Sequence, residues 1–304
     1  MYTRLEVTKT YKLFIDGKFP RSESGRTIAV SDPRGRVAAH VCHASRKDLR
    51  DAVSAARKAL PGWRGATAYL RGQILYRMAE MMEGKREELA AALVVGGEKP
   101  AAAKREVEAS IDRLVAYAGW ADKFAQVLGC NNAVAGPYYN FTVPEPTGVV
   151  AVVAPDSPGL LGLVSLCAPA LCAGNAVVAV VGADGGQPIA AAVLAEVFAT
   201  SDLPGGVLNL LTGTRDELGP VIAVHRDIDA VLAAGVSAEQ ARVLREGAAE
   251  NVKRVKVLGH TAPGNKGAKA ARGEVDWFDA AACESPWWIE PVVEMKTIWH
   301  PSAA

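Results

Sequence analysis

The sequence has almost no net charge: 34 Lys and Arg stand against 33 Asp and Glu, leaving +1. That balance provides neither the basic footprint of a nucleic-acid-binding protein nor a patch that draws a chain to an anionic membrane. No apolar run approaches the roughly 20 residues needed to span a bilayer, and the opening MYTRLEVTKTYKLF lacks the apolar core of a signal peptide. Cysteine is sparse. Cys42, Cys130, Cys167, Cys172 and Cys283 are scattered, odd in number and without metal-type clustering, which suits a reducing cytoplasm. No internal repeat is visible, and no lysine occurs between Lys123 and Lys253. His225 and His260 stand alone, without metal-ligand spacing to a partner, so no metal site is expected.

What is present centres on Glu145–Gly213. Val149–Ala154, Ala176–Val181 and Val207–Leu211 are short, continuous apolar runs bounded by Gly, Pro or Asn, as strands buried on both faces of a parallel sheet are. Leu160–Cys172 and Ile189–Thr200 have the length and Ala/Leu content of crossover helices, so Cys167 and Cys172 read as packing residues. Strand, helix, strand, helix, strand predicts a doubly wound α/β unit. Its ligand crevice would lie at the carboxyl ends of the strands, at Pro155–Gly159, Gly182–Gln187 and Thr212–Arg215.

Tyr11–Phe19 reads as a hairpin turning at Asp16–Gly17. Ser45, with Asp48 three residues on, predicts a helix start, and Pro61–Gly62 a stop. Ala68–Gly84, Lys85–Val95 and Ala101–Lys123 carry helical apolar spacing, with Val107, Ile111, Leu114, Val115 and Ala118 on one core-facing stripe. Asn131–Thr147 turns to loop formers and then alternates, with Tyr139, Phe141 and Val143 on one side. Ala230–Ala233 predicts a strand, a helix begins near Ser237, and Val252–Leu258 predicts a further strand. After Gly259 the text becomes small and basic, with Lys266, Lys269 and Arg272, as a solvated linker does. The end, WIEPVVEMKTIW, alternates again.

EPTGVVAVVAP, APALCAGNAVV, LAEVF, DLPGGVLNLLTG and HRDIDAV resemble, in order and spacing, the cofactor-binding half of the aldehyde dehydrogenase superfamily. FIDGKF, DPRGRV, ASRKDLRDAVSAARKALPGWR, RGQILYRMAEMME, EKP and YAGWADK extend the resemblance through the N-terminal third. It implies an α/β fold: a Rossmann-like parallel sheet with flanking helices plus a small β-arm used for oligomerisation. The cofactor-binding-type domain would span residues 1–130 and 148–258. The arm would comprise 131–147 and 286–304. Residues 259–285 would be a linker standing where relatives carry their catalytic domain.

The resemblance also exposes departures. Relatives hold an oxyanion-binding asparagine in a Pro-aromatic-Asn-Phe-Pro loop; here the loop is Pro155–Asp156–Ser157–Pro158–Gly159. The cofactor lysine after the second strand is missing. The Gly-x-Gly element is Gly213–Thr214–Arg215, Phe-Thr-Gly-Ser is Ala233–Ala234–Gly235–Val236, and Glu-Leu-Gly-Gly is Val257–Leu258–Gly259–His260. Nucleophile, base and oxyanion donor are thus all absent, and losing one such donor alone costs about 10²–10³ in rate. Cys283 lacks the family surroundings and reads as a packing or loop thiol.

No catalytic residue is therefore expected. Pro155, Ser157, Gly213 and Gly235 would be vestiges of a cofactor site, with no cofactor expected and NAD(P) binding weak. Tyr139, Phe141, Val143, Trp287, Trp288, Val293, Met295 and Trp299 would form an interface. The preferred reading is a cytoplasmic pseudoenzyme that pairs with a full-length aldehyde dehydrogenase subunit or with itself. The alternatives are an NAD(P)- or metabolite-binding sensor module and an active NAD-dependent aldehyde oxidoreductase.

Overall fold

The computed structural model describes residues 7–183, 187–261 and 275–302, without the side chains of residues 260 and 261. The basic run Lys266, Lys269 and Arg272, about half of the expected linker (residues 262–274), and residues 184–186 of the glycine-bearing strand end lie outside the described residues.

The chain opens with β1 (Thr10–Tyr11), β2 (Thr27–Ser31) and β3 (Val37–Cys42), a small sheet of order β1-β3-β2 not read from the sequence. Between β1 and β2, Asp16 and Gly17 turn with φ of 53° and 72°, which glycine allows at no steric cost. The predicted hairpin shrinks to the single bridge Ile15–Lys18, because Phe14 instead pairs with Leu210 at the edge of the main sheet.

Helices α1 (Arg46–Gly65), α2 (Ala68–Gly84), α3 (Arg86–Val95), α4 (Pro100–Trp120) and α5 (Phe124–Leu128) follow. Ser45 and Asp48 form a reciprocal capping box at the start of α1. Pro61 does not stop this helix. It forfeits the bond to the carbonyl of Arg57, but the last turn is held by buried Trp63, whose indole donates to Leu171 O (3.1 Å).

Then come β4 (Cys130–Asn132), β5 (Tyr138–Pro146), β6 (Val149–Val153), α6 (Gly159–Cys172), β7 (Ala176–Gly182), α7 (Pro188–Ala199), β8 (Leu208–Gly213), α8 (Arg215–Val224), β9 (Ala230–Ser237), α9 (Ala238–Ala249) and β10 (Arg254–Thr261). β6 to β10 make a five-stranded parallel sheet of order β10-β9-β6-β7-β8. The period-2 alternation of its strands loads both faces. Val150, Val152, Val177, Ala179 and Leu232 face one buried cluster, which includes residues of α2, α4, α6 and α7. Val149, Ala151, Val178, Val180 and Val231 face the other, with residues of α1, α8 and α9. Val252, expected inside the last strand, sits in the preceding turn at φ 57° and fully exposed. Lys253 then turns inward and donates to Ile222 O and His225 O (2.9 and 2.7 Å), closing the carboxyl end of α8.

The tail differs from the expected linker. After α10 (Ala280–Cys283) come two 3-10 turns, Pro286–Trp288 and Glu290–Val292, and then β11 (Val293–Pro301). Trp277, Cys283, Ile289 and Val292 of this stretch are buried. It packs on α4, whose inward stripe is polar as well as apolar. Arg113 donates to Trp277 O (2.9 Å) and to Ser165 of α6. The Tyr117 hydroxyl lies 2.9 Å from Cys283 O and 3.1 Å from Ser285 O, and the Trp120 indole donates to Glu284 O (2.7 Å). Val115, assigned to the core stripe, is exposed; the true inward face is rotated toward Glu106, Ser110, Arg113 and Tyr117.

Because Trp277 is core rather than linker, Trp277→Ala is expected to cost about 3–5 kcal/mol in urea denaturation. A cost within about 0.5 kcal/mol of zero, the range of a surface substitution, would show that this stretch does not belong to the fold.

Candidate functional site

The chain runs from β6 to β7 to β8 in one direction and then returns past β6 to β9, so the order reverses between β6 and β9. Open α/β sheets bind ligands at the carboxyl ends of strands at such a reversal. Here that place is formed by Ala154–Gly159, Thr212–Arg215 and Gly235–Gln240.

Pro155 is buried in the throat. A Cβ on Gly235, which has φ 63°, would lie 3.1 Å from Pro155 Cβ, and one on Gly162 would collide with the proline ring. The two glycines thus admit the proline, and the proline narrows the crevice. Ser157 is exposed at the rim, and Gly213 is buried at the end of β8 against Leu218 and Ala44. Pro155 and Gly235 therefore meet, whereas Ser157 and Gly213 are not brought to a common point.

Asp156 and Arg215, which the sequence marked only as departures, dominate the mouth. Arg215 Nη1 and Nη2 donate to Asp156 Oδ2 and Oδ1 (2.9 and 2.6 Å), and Nη2 also donates to Ala154 O (2.5 Å). Below them, Glu106 Oε1 accepts the N–H groups of Leu160 (2.8 Å) and Leu161 (3.1 Å), capping α6 from α4. Burial pushes the Glu106 carboxyl above its ordinary range, opposed by these two N–H donors and assisted by Glu98. At α9, Ser237 and Gln240 form a capping box. Beside Arg215 a small apolar slot of about 120 Å³ runs between α8 and α9, lined by Leu218, Ile222, Val236, Val243 and Leu244 among others. That is smaller than the ~300–1,000 Å³ of small-molecule sites. Among the described residues no group of acidic, His and Cys side chains could hold a metal, and no helix is long and apolar enough to cross a membrane.

Cys283, at the end of α10, packs against Tyr117 of α4. Its thiol donates to Asp276 O (3.4 Å), and burial pushes its pKa up, opposite to the need of a nucleophile.

The arm is a three-stranded antiparallel sheet of order β11-β5-β4, in which β11 and β5 pair from Val293↔Pro146 to Pro301↔Tyr138. Paired residues share a face. Tyr139, Phe141 and Val143 therefore lie with His300, Ile298 and Lys296, and the rings of Tyr139 and Phe141 sit 5.2 Å apart. Met295 and Trp299 lie on the opposite face, where Trp299, 58% exposed, meets Tyr138 edge-on at 5.7 Å. The expected single interface is thus split across two faces. Two residues assigned to it are covered, wholly or in part, by this chain itself. Val293 is buried at the base of the arm, where the chain rejoins the domain. Trp288 packs on Trp277 (5.7 Å) and donates to Ala282 O, because the tail folds onto α4. Trp287 is exposed, in the 3-10 turn before the arm.

The profile of the aldehyde dehydrogenase family matches residues 19–260. The chain belongs to the aldehyde dehydrogenase family. It is 36% identical over 267 residues to retinal dehydrogenase 2 of Mus musculus, covering 85% of this chain and 50% of that protein. To mitochondrial benzaldehyde dehydrogenase of Antirrhinum majus it is 34% identical over 258 residues, covering 83% and 47%. The fold matches an aldehyde dehydrogenase of Bacillus cereus solved as an NAD+ complex, with TM-score 0.77 and 30% identity, over 82% of this chain and 51% of that one. The chain spans about half the length of the curated relatives it matches.

Family membership raises the question of a nicotinamide dinucleotide, and the mouth does not fit its pyrophosphate. A phosphate at a strand–helix turn needs free N–H groups and positive potential. The first turn here supplies the carboxylate of Asp156, and the N–H groups of Leu160 and Leu161 are already bonded to Glu106.

Glu106 offers a pH test. Its folded pKa is raised, so native protein binds more protons than unfolded chain between about pH 4.3 and the raised value. Its contribution is favourable below that window and is lost as pH rises through it. Glu106→Gln keeps an oxygen for both N–H groups without the charge. Relative to wild type, the variant should gain stability between pH 4.5 and pH 7.5 in urea unfolding; a difference independent of pH would contradict the assignment.

Proposed function

We propose that this chain is a non-catalytic subunit of the aldehyde dehydrogenase family that assembles with, and scaffolds or regulates, a full-length aldehyde dehydrogenase. The observation that carries this reading is the arm. β5 and β11 pair along their whole length, yet aromatic side chains on both faces remain uncovered by this chain: Tyr138, Tyr139 and Trp299 are exposed. Between β10 and the folded tail only residues 262–274 intervene, too few for a domain of roughly 100 residues or more. A ribbon with two half-covered aromatic faces gains most by burying them against another chain.

The chemistry of the crevice supports the same reading. The loop position of the family's oxyanion donor holds Ser157, with the carboxylate of Asp156 beside it, and a negative charge there opposes a developing oxyanion. The buried thiol of Cys283 is tied to Asp276 O rather than to a base.

Purification of the untagged chain from its own host should bring down a full-length aldehyde dehydrogenase in fixed ratio. In reconstitution with that enzyme, Trp299→Ser and Phe141→Ser probe opposite faces of the arm. The substitution on the docking face should weaken binding about 30-fold or more, the size of a hot-spot truncation. Recovery of the chain alone, or only as copies of itself, would overturn the proposal.

A further inference from the structure

The helix starts around the crevice are supplied with partners from the chain itself. Glu106 caps α6 with 2.8 and 3.1 Å bonds, and the Ser237–Gln240 box caps α9. At α8, the first helical residue is Arg215, and no side chain caps the helix. Its guanidinium instead grips Asp156 in the fork-to-fork geometry by which arginine holds a phosphate or carboxylate. The Arg215 side chain keeps 11% of its exposure and Asp156 43%, so the carboxylate covers the cation from the solvent side. Arg215 Nε is buried with no acceptor among the described residues, and Arg215 also lines the slot between α8 and α9. The guanidinium thus sits beside the small slot, and its anionic partner comes from the first strand–helix turn, where a dinucleotide would place its pyrophosphate.

We propose that Asp156 is an intramolecular stand-in for a ligand phosphate: its pairing with Arg215 shuts the crevice to dinucleotides, and its neutralisation opens an anion site at the mouth of the α8–α9 slot. A phosphate approaching the wild-type chain must displace a carboxylate already held by two charge-assisted bonds, and it meets that carboxylate's charge as it does so. Without the charge, Arg215 is free to pair with the incoming anion, which then competes only with Asp216 and Glu217 of the first turn of α8. This inference does not depend on the assembly reading, and its failure would leave that reading untouched.

Calorimetry on the full chain tests it with two probes, inorganic pyrophosphate and NAD. Wild type should bind neither with a Kd below about 1 mM, the weak end of specific affinities. Asp156→Asn should bind pyrophosphate at least about tenfold tighter than wild type, the yield of one charge-assisted bond. Adding Arg215→Ala should abolish the gain. Asp156→Ser should reproduce the gain, and serves if the asparagine variant is not folded by thermal melting. Micromolar NAD binding by wild type would overturn the proposal. So would no gain in either variant, or a gain that survives loss of Arg215.

Discussion

One stripe of α4 holds the far side of the molecule together. Glu106, Ser110, Arg113, Tyr117 and Trp120 recur every three or four residues, so they share a face. That face lies against α6 and the tail. Apart from Ser110, which bonds back to Glu106 O within α4, each of them satisfies a polar group that would otherwise be buried without a partner: Leu160 and Leu161 N–H, Ser165, Trp277 O, Cys283 O and Glu284 O. Unmet, such groups cost about 1–3 kcal/mol apiece. Arg113, almost wholly buried, has Glu284 at 3.6 Å as its only acidic neighbour among the described residues. The tail therefore supplies both the acceptors and the counter-charge that make the stripe tolerable.

Two consequences follow for function. The stretch between Val275 and Val292 covers α4 and α6 without a second domain, so the Rossmann-like half closes by itself. β11 then leaves that cap and pairs with β5, and the base of the arm is tied down: Asn175 Nδ2 donates to Val292 O (3.0 Å), and Arg254 to Val293 O (2.7 Å). The ribbon projects from a rigid root, with Arg64 and Lys296 flanking Glu145 beside it. A firmly rooted arm with aromatic side chains on both faces suits docking, while the crevice is occupied by its own carboxylates.

Much of the sheet was legible because both faces of β6 and β7 are buried, and buried parallel strands announce themselves as unbroken Val/Ala runs. The capping boxes at Ser45 and Ser237 are similarly local signals. The α4 stripe was not legible, because apolar periodicity cannot find an inward face built from Glu, Ser, Arg and Tyr. The spacing Glu106, Ser110, Arg113, Tyr117, Trp120 was nonetheless there to be read. Pro61 misled because a helix-breaking residue was outweighed by tertiary anchoring of Trp63. The tail misled because its partners lie 160 and more positions earlier in the chain. The Asp156–Arg215 pair likewise joins two turns far apart in sequence, so residue type alone showed a lost lysine and glycine but not what replaced them.

Amide hydrogen exchange of the isolated chain tests most directly whether the tail is the cap that lets this half stand alone. The bonded amides of Cys283, Trp288, Ile289 and Val292 should exchange as slowly as those of β6 and β7, through global unfolding. Exchange of those amides at the rate of an unprotected loop, with β6 and β7 still protected, would contradict the account.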